Sequence, residues 1–180
     1  MKKSLLQLTK VILLILLSLT FCCKQQVMEG LTEEEAKAIT DRVLEIWNDG
    51  NLALVDEVYA PEVVVHSSSS PEDMVGFEGI KGWVTNTRTA FPDFKMTFDE
   101  IIVKGDKIVT RWTSTGTHTG TFHMPFGDLP PTGKKINVSG VAINKIENRK
   151  AVDELVVFNV LDMLQQLGFT LVPPSMESEK

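Results

Sequence analysis

Beyond residue 23 the chain contains no cysteine; its two cysteines are the adjacent pair Cys22 and Cys23. Disulfides, thiolate nucleophiles and cysteine-ligated zinc are therefore excluded from everything that follows the pair. Neighbouring Cα atoms lie about 3.8 Å apart, closer than an unstrained disulfide wants, so the pair does not read as a redox bridge. Tyrosine occurs once, at Tyr59, and histidine three times, at His66, His118 and His123. A metal site needs at least two histidines to converge. His118 and His123 are five apart, which puts them on opposite sides of a regular strand, so no metal is expected. Positive charge is also scarce, with 18 basic residues against 24 acidic ones. Lys2, Lys3 and Lys10 precede the cysteines, so the rest of the chain carries 18 − 3 = 15 against 24, a net charge of −9. An acidic chain without a basic stripe is unsuited to nucleic acid, and anionic lipid repels it.

A long apolar run occurs only at the start. Lys2, Lys3 and Lys10 are followed by purely aliphatic residues from Val11 to Leu17, continuing through Leu19 and Phe21 to Cys22, Cys23 and Lys24. A charged start, an apolar stretch of secretory length and a processing point make a signal peptide. The stretch is shorter than the roughly 20 residues that span a bilayer, and it is apolar all round, unlike a core helix. The segment resembles a lipoprotein signal, in which one of Cys22 and Cys23 becomes the lipidated first residue. The expected organisation is a signal peptide over 1–23, a tether over 24–30, one domain over 31–172 and a tail over 173–180. The expected location is the bacterial cell envelope, lipid-anchored or otherwise periplasmic or secreted, with the membrane touched only through the anchor.

Within the domain the patterning changes from helical to β. Thr32 and Glu35 form a capping box ahead of Ala36, Ile39, Val43, Ile46 and Trp47 at helical spacing, and Gly50 ends the helix. A shorter helix from Asn51 is expected to stop at Ala60-Pro61, with a strand over 63–66 and a serine loop over 67–70. A third helix carries Ile80, Val84, Thr87 and Phe91 on one side and closes at Pro92-Asp93. Four strands follow. Phe94, Met96 and Phe98 alternate in one phase and Ile101 and Val103 in the other, which predicts a bulge near Asp99-Glu100. A turn at 104–107, a long strand over 108–123, a Pro/Gly loop over 124–133, strands over 136–146 and 152–159, and a final helical segment over 161–167 complete the chain. Helices first and a strand meander after them predict an α+β fold, with a curved antiparallel sheet wrapped around the N-terminal helices to make a cone with a pocket.

Several segments together resemble the SnoaL-like polyketide cyclase and ester cyclase family of the NTF2-like superfamily, over roughly residues 32–172. They are "IWNDGNLALVDEVYAPEVVVH", "AFPDF", "VTRWTSTGTHTG", "PPTGKKI", "SGVAINKI" and "VFNVLDMLQQLGF", in that order. The resemblance implies a homodimer or other oligomer of small cones without metal, nucleotide or other cofactor, and ring closure by aldol-type chemistry in which a pocket carboxylate is the acid/base. It places Asn159 where the family commonly has Asp. An Asn side chain cannot take up a proton near neutral pH, so position 159 is a catalytic position without its base.

The candidate catalytic residues are thus His118, which shares a strand face with Trp112, Ser114 and Phe122, and Asn159 at the inner end of the cone. Tyr59, His66, Trp83, Trp112 and Phe158 are expected in the pocket. The pairs Asp99-Glu100 and Asp153-Glu154 each put one carboxylate inward and one outward on a regular strand, and an inward one would have a raised pKa and could act as a base. Two functions stay open: a cyclase or isomerase-type enzyme acting on an apolar carbonyl compound, and a non-catalytic lipoprotein that binds an apolar ligand or a protein partner.

Overall fold

The computed structural model describes residues 30–170. The expected signal peptide with its cysteine pair, most of the expected tether and all of the expected tail lie outside the described residues. Helix α1 spans Glu33–Asp49. Both halves of its capping box are formed: the Thr32 side chain accepts from the Glu35 N–H, and the Glu35 carboxylate accepts from the Thr32 N–H. Gly50 ends it with φ 71°, a left-handed conformation in which a Cβ would be strained. Arg88 adds a second stop, donating to the Trp47 and Asn48 carbonyls at 2.9 and 2.6 Å. The expected second helix is reduced to a 3-10 turn, Leu52–Leu54, and one helical turn, α2, Val55–Val58.

Strand β1 then covers Tyr59–Ser67 and runs through Pro61, which was expected to act only as a helix stop. The ladder to its neighbour shifts register between Tyr59 and Val64, so the missing N–H of Pro61 falls where pairing is interrupted. The short strand β2, Met74–Val75, and helix α3, Gly76–Ala90, follow. The meander is β3, Lys95–Lys104; β4, Lys107–Thr117; β7, Lys135–Glu147; and β8, Lys150–Phe158. The expected long strand over 108–123 stops at Thr117. The chain there is drawn onto the end of α3, where Thr119 and Gly120 both donate to the Ala90 carbonyl. A separate hairpin, β5, Phe122–Met124, with β6, Gly127–Leu129, occupies the loop that follows. Helix α4, Val160–Gln166, closes the described chain.

The six-stranded sheet has the order β2-β1-β8-β7-β4-β3. It is antiparallel except at β1–β8, which are parallel. The last strand in sequence therefore lies between the first strand and β7. The expected bulge is present: the β3–β4 register shifts between Phe98 and Glu100, which brings Met96, Phe98, Ile101 and Val103 into one phase. Arg111 and Thr113 bind Asp99 across the outer face. The β7–β8 turn is made by Asn148 and Arg149, both with positive φ, the conformation that two-residue hairpins require.

On the inner face, Ile108, Thr110, Trp112, Ser114 and Gly116 alternate as buried positions of β4, answered by Ile136, Val138 and Ala142 on β7. A Cβ at Gly140 would collide with the Trp112 ring and the Val157 carbonyl, so this glycine leaves room for the indole. Helix α1 packs along β3, α3 along β1 and α4 against β7. Asn48 ties α1 to β3 through two bonds to the Met96 backbone, at 2.7 and 3.0 Å.

Candidate active site

The space between the curved sheet and the helices is a cavity of about 100 Å³. Its walls are mostly apolar, with aromatic residues from every side: Trp47 of α1, Trp83 of α3, Phe94, Trp112 of β4 and Phe158 of β8 among them. Trp47 and Trp83 meet edge to face at 4.8 Å, and Trp112 and Phe158 pack at 5.8 Å. Into this lining β8 projects one ionisable side chain, Glu154.

The backbone explains why Glu154, and not Asp153, points inward. The β7–β8 ladder pairs Lys145 with Asp153 and Ile146 with Ala151, so Val152 is an extra residue on β8. The bulge changes the phase of the strand: Ala151 faces in before it, and Glu154 and Val156 face in after it. A regular strand with Ala151 inward would have turned Asp153 into the cavity. Asn144 of β7 sits directly opposite Glu154. Glu154 is 7 % exposed, and its Oε2 atom is buried with no hydrogen-bond partner.

Burial is the main cause of the unusual acidity of Glu154, which is pushed up to about 7. Asn144 and the Tyr59 hydroxyl favour the carboxylate and partly offset the burial, while the Asp153 charge next door works against it. Tyr59 is held well above the ordinary phenol value by its own burial and by the Glu154 charge, so it stays a donor. A carboxyl that titrates near neutrality in an apolar cavity can take and return a proton at working pH. The other polar groups in the lining, among them Thr40, Thr87, Thr110, Ser114 and Asn144, are neutral.

Of the expected pocket residues, Trp83, Trp112 and Phe158 line the cavity. Tyr59 is a buried neighbour behind Glu154 and not part of the lining. His66 lies at the sheet's edge, about half exposed, between two carboxylates: Nδ1 is 2.7 Å from Asp73 and Nε2 is 3.2 Å from Asp153. His118 is on the expected face but one layer too deep. It is fully buried, stacks on Phe91 at 5.1 Å, and holds Thr132 Oγ1 at 3.2 Å through Nδ1, with no partner at Nε2. Burial lowers its pKa, which keeps the ring neutral behind the cavity wall. Asn159 does not look inward. It is exposed, and its Oδ1 caps α4 by accepting from the Asp162 N–H at 3.0 Å. The strand ends at Phe158 and the chain turns into the helix there, so a short polar side chain is taken up by capping. Among the described residues no group of three His, Cys, Asp or Glu side chains could hold a metal ion, and no helix is long and apolar enough to cross a membrane.

The model of the SnoaL-like polyketide cyclases matches residues 37–167. The chain belongs to that family. Solved structures agree with the assignment. A predicted polyketide cyclase from Acidithiobacillus ferrooxidans is 31 % identical, with a TM-score of 0.63, over 74 % of this chain and 94 % of that one. IdmH, a predicted polyketide cyclase from Streptomyces antibioticus, is 26 % identical, with a TM-score of 0.61, over 74 % of this chain and 98 % of that one. TsrD from Streptomyces laurentii shares the fold, at 24 % identity and a TM-score of 0.67, over 77 % and 98 % of the two chains. No curated protein matches the chain. As a SnoaL-like domain it keeps the mixed α+β cone, and its inward carboxylate comes from the middle of β8 and not from position 159.

Proposed function

We propose that this SnoaL-like protein is a cofactor-independent acid/base enzyme of the cyclase or isomerase type, acting on a small apolar carbonyl compound, with Glu154 as its base. The observation that carries the reading is the lone, buried Glu154 carboxyl in an aromatic cavity, with one oxygen free and a pKa near neutrality. In this reading Glu154 removes a proton from the carbon beside the substrate's carbonyl. The electron pair moves onto the carbonyl oxygen as an enolate; the enolate carbon then either attacks a second carbonyl, whose oxygen takes the proton back from Glu154, or is itself reprotonated by Glu154. No cationic side chain lines the cavity, so the enolate must be stabilised by its own conjugation and by neutral donors such as the Thr110 hydroxyl. Tyr59 and Asn144 are positioning residues that hold the carboxylate. The identity of residue 159 carries no weight against catalysis, since its side chain is spent on the helix cap.

Exchange of the α-hydrogens of 2-indanone in heavy water, followed by NMR, tests the reading. The protein should accelerate exchange above buffer, and Glu154→Gln should remove about a hundredfold to ten-thousandfold of that rate. Exchange that survives in Glu154→Gln would refute Glu154 as the base.

The proposed setting is the cell envelope, through processing and lipidation at Cys22 or Cys23. The charged, aliphatic start of the sequence supports this. Mass spectrometry of the native N-terminus should find a lipid-modified cysteine there and no intact Met1. The proposed assembly is a homodimer through the outer face of the sheet. In support, Val141 pairs with Val157 and Ile143 with Leu155 on that face, and Val141, Leu155 and Val157 are exposed. Light scattering should give twice the chain mass, and Val157→Glu should shift it to the monomer.

A further inference from the structure

The cavity has a charge character that acid/base chemistry does not use. Its lining contains one carboxyl and no Lys, Arg or His. Among the described residues Glu154 enters no ion pair. Every other carboxylate held in an ion pair is at the surface, so Glu154 is the one placed where a charge most needs a partner and has none. The groups beside it that titrate are Tyr59, from β1, and Asp153, its neighbour on β8. The first stays protonated, and the second is engaged with His66 outside the cavity.

The walls supply the second half of a cation site. Indole and phenyl faces attract ammonium groups through the ring quadrupole, and the gain is larger where water is excluded. Trp47, Trp83, Trp112, Phe94 and Phe158 contribute such rings to one cavity. The count of donors selects the kind of cation. Oε2 is the single unpartnered buried carboxylate oxygen, so it can receive one N–H. A primary ammonium would bring two further N–H groups, whose side-chain acceptors in the lining are neutral hydroxyls and the Asn144 amide, weaker than a carboxylate. A tertiary ammonium has one N–H for Oε2 and three carbon substituents for the rings. The volume of about 100 Å³, below the roughly 150 Å³ that takes up one benzene molecule, holds the ammonium head and its short branches, and because the cavity is partly open a larger body extends through its mouth.

We propose that the cavity is a binding site for a small apolar tertiary amine in its protonated form, held by an N–H⁺ bond to Glu154 and by the aromatic walls. The site rests on Glu154 facing the cavity and does not require that Glu154 act as a base. The same electrostatics exclude carboxylates and phosphates of similar size, because Glu154 would repel them and nothing in the lining would pair with them.

Three probes of one size separate the terms: N,N-dimethylbenzylamine, its neutral carbon isostere isobutylbenzene, and the anion 3-phenylpropionate. Titration calorimetry with the full chain near pH 8 should give the amine at least about tenfold higher affinity than isobutylbenzene, an advantage expected for a desolvated cation–π and ion-pair site. Benzylamine should bind more weakly than the tertiary amine, and 3-phenylpropionate should show no binding. Glu154→Gln should abolish the amine's advantage and leave isobutylbenzene within about twofold. In the wild type, amine affinity should weaken as pH falls through about 7, where Glu154 gains its proton. Equal affinity for amine and isostere, or an amine advantage that survives in Glu154→Gln, overturns the proposal. If Glu154→Gln does not fold, amine affinity that stays flat between pH 6 and 8 in the wild type does the same. The outcome is separable from that of the acid/base reading. Ketone exchange without amine preference defeats this proposal alone, and amine preference without ketone exchange defeats only the enzymatic one.

Discussion

Replacing Glu154 by Gln should make the protein more stable at alkaline pH while removing the function proposed for it. The Glu154 carboxyl has an ordinary value of 4.5 and is pushed up to about 7 in the fold. Between those values the unfolded chain has released the proton and the folded chain has kept it. Folding stability from this group is therefore full below about 4.5, declines as pH rises, and levels off at its lowest above about 7. A shift of that size at 1.36 kcal/mol per pH unit amounts to roughly 3 kcal/mol. The side chain is almost completely buried, so solvent screening removes little of it. Gln has nearly the same shape and never ionises, so it escapes this loss. Urea denaturation of both proteins across pH 4.5 to 8 should show Glu154→Gln gaining on the wild type by roughly 3 kcal/mol over that window, a large fraction of a typical domain's stability. All other titrating groups are shared and cancel in the difference. A stability difference that does not change with pH, or one that moves against Gln as pH rises, would show that Glu154 is not a buried, unpaired acid.

Other perturbations read other parts of the site. Tyr59→Phe removes a donor to the carboxylate, and a hydrogen bond to a charged group is worth about 1.5–3 kcal/mol, so the midpoint of Glu154 should climb by about 1–2 pH units in a carboxyl NMR titration. Asn159→Ala should cost about 1 kcal/mol of stability, the usual loss for an N-cap, and leave 2-indanone exchange unchanged; a large loss of exchange would return position 159 to the active site. His66 meets a carboxylate at each ring nitrogen, an arrangement that needs both nitrogens protonated. Asp73 first, and then Asp153, raises its pKa, so the support it gives is full below about 6.5 and is lost as pH rises through the higher folded value. Amide exchange over residues 68–73 should therefore speed up with pH beyond its chemical rate in the wild type but not in His66→Gln. Gly140→Ala should displace the Trp112 ring, changing tryptophan fluorescence and lowering stability by about 1–3 kcal/mol, as overpacking does.

The fold was legible where one residue type had one reason to occur. The Thr32–Glu35 box, the stop at Gly50, the bulge beside Asp99 and the meander of four strands all follow from local pattern, and all are present. Pairing over distance was not legible. Nothing in the pattern of β1 says that it joins β8 in parallel, and Pro61 suggested an ending where the ladder only skips. The site was half legible for the same reason. Alternation shows that one of Asp153 and Glu154 must face inward, but the choice depends on one extra residue, Val152, whose bulge appears only when β7 is laid against β8. His118 follows the alternation of β4 correctly, yet depth is not encoded in alternation, and Phe91 of the neighbouring helix end stands in front of it. Asn159 drew attention through its place in a family motif, while its physical task, capping α4, was the ordinary preference of its residue type.

The central place of β8 has a kinetic consequence. Strand β1, made early, waits next to a gap until β8, made last, enters between it and β7. Pairings such as Val65 with Glu154 join residues from opposite ends of the domain, and closing loops of that length slows folding relative to local meanders. The strand that carries the buried acid is thus also the one that completes the sheet. A chain still being synthesised cannot close its cavity before residue 158 has emerged, so it stays unfolded for longer than its size alone requires.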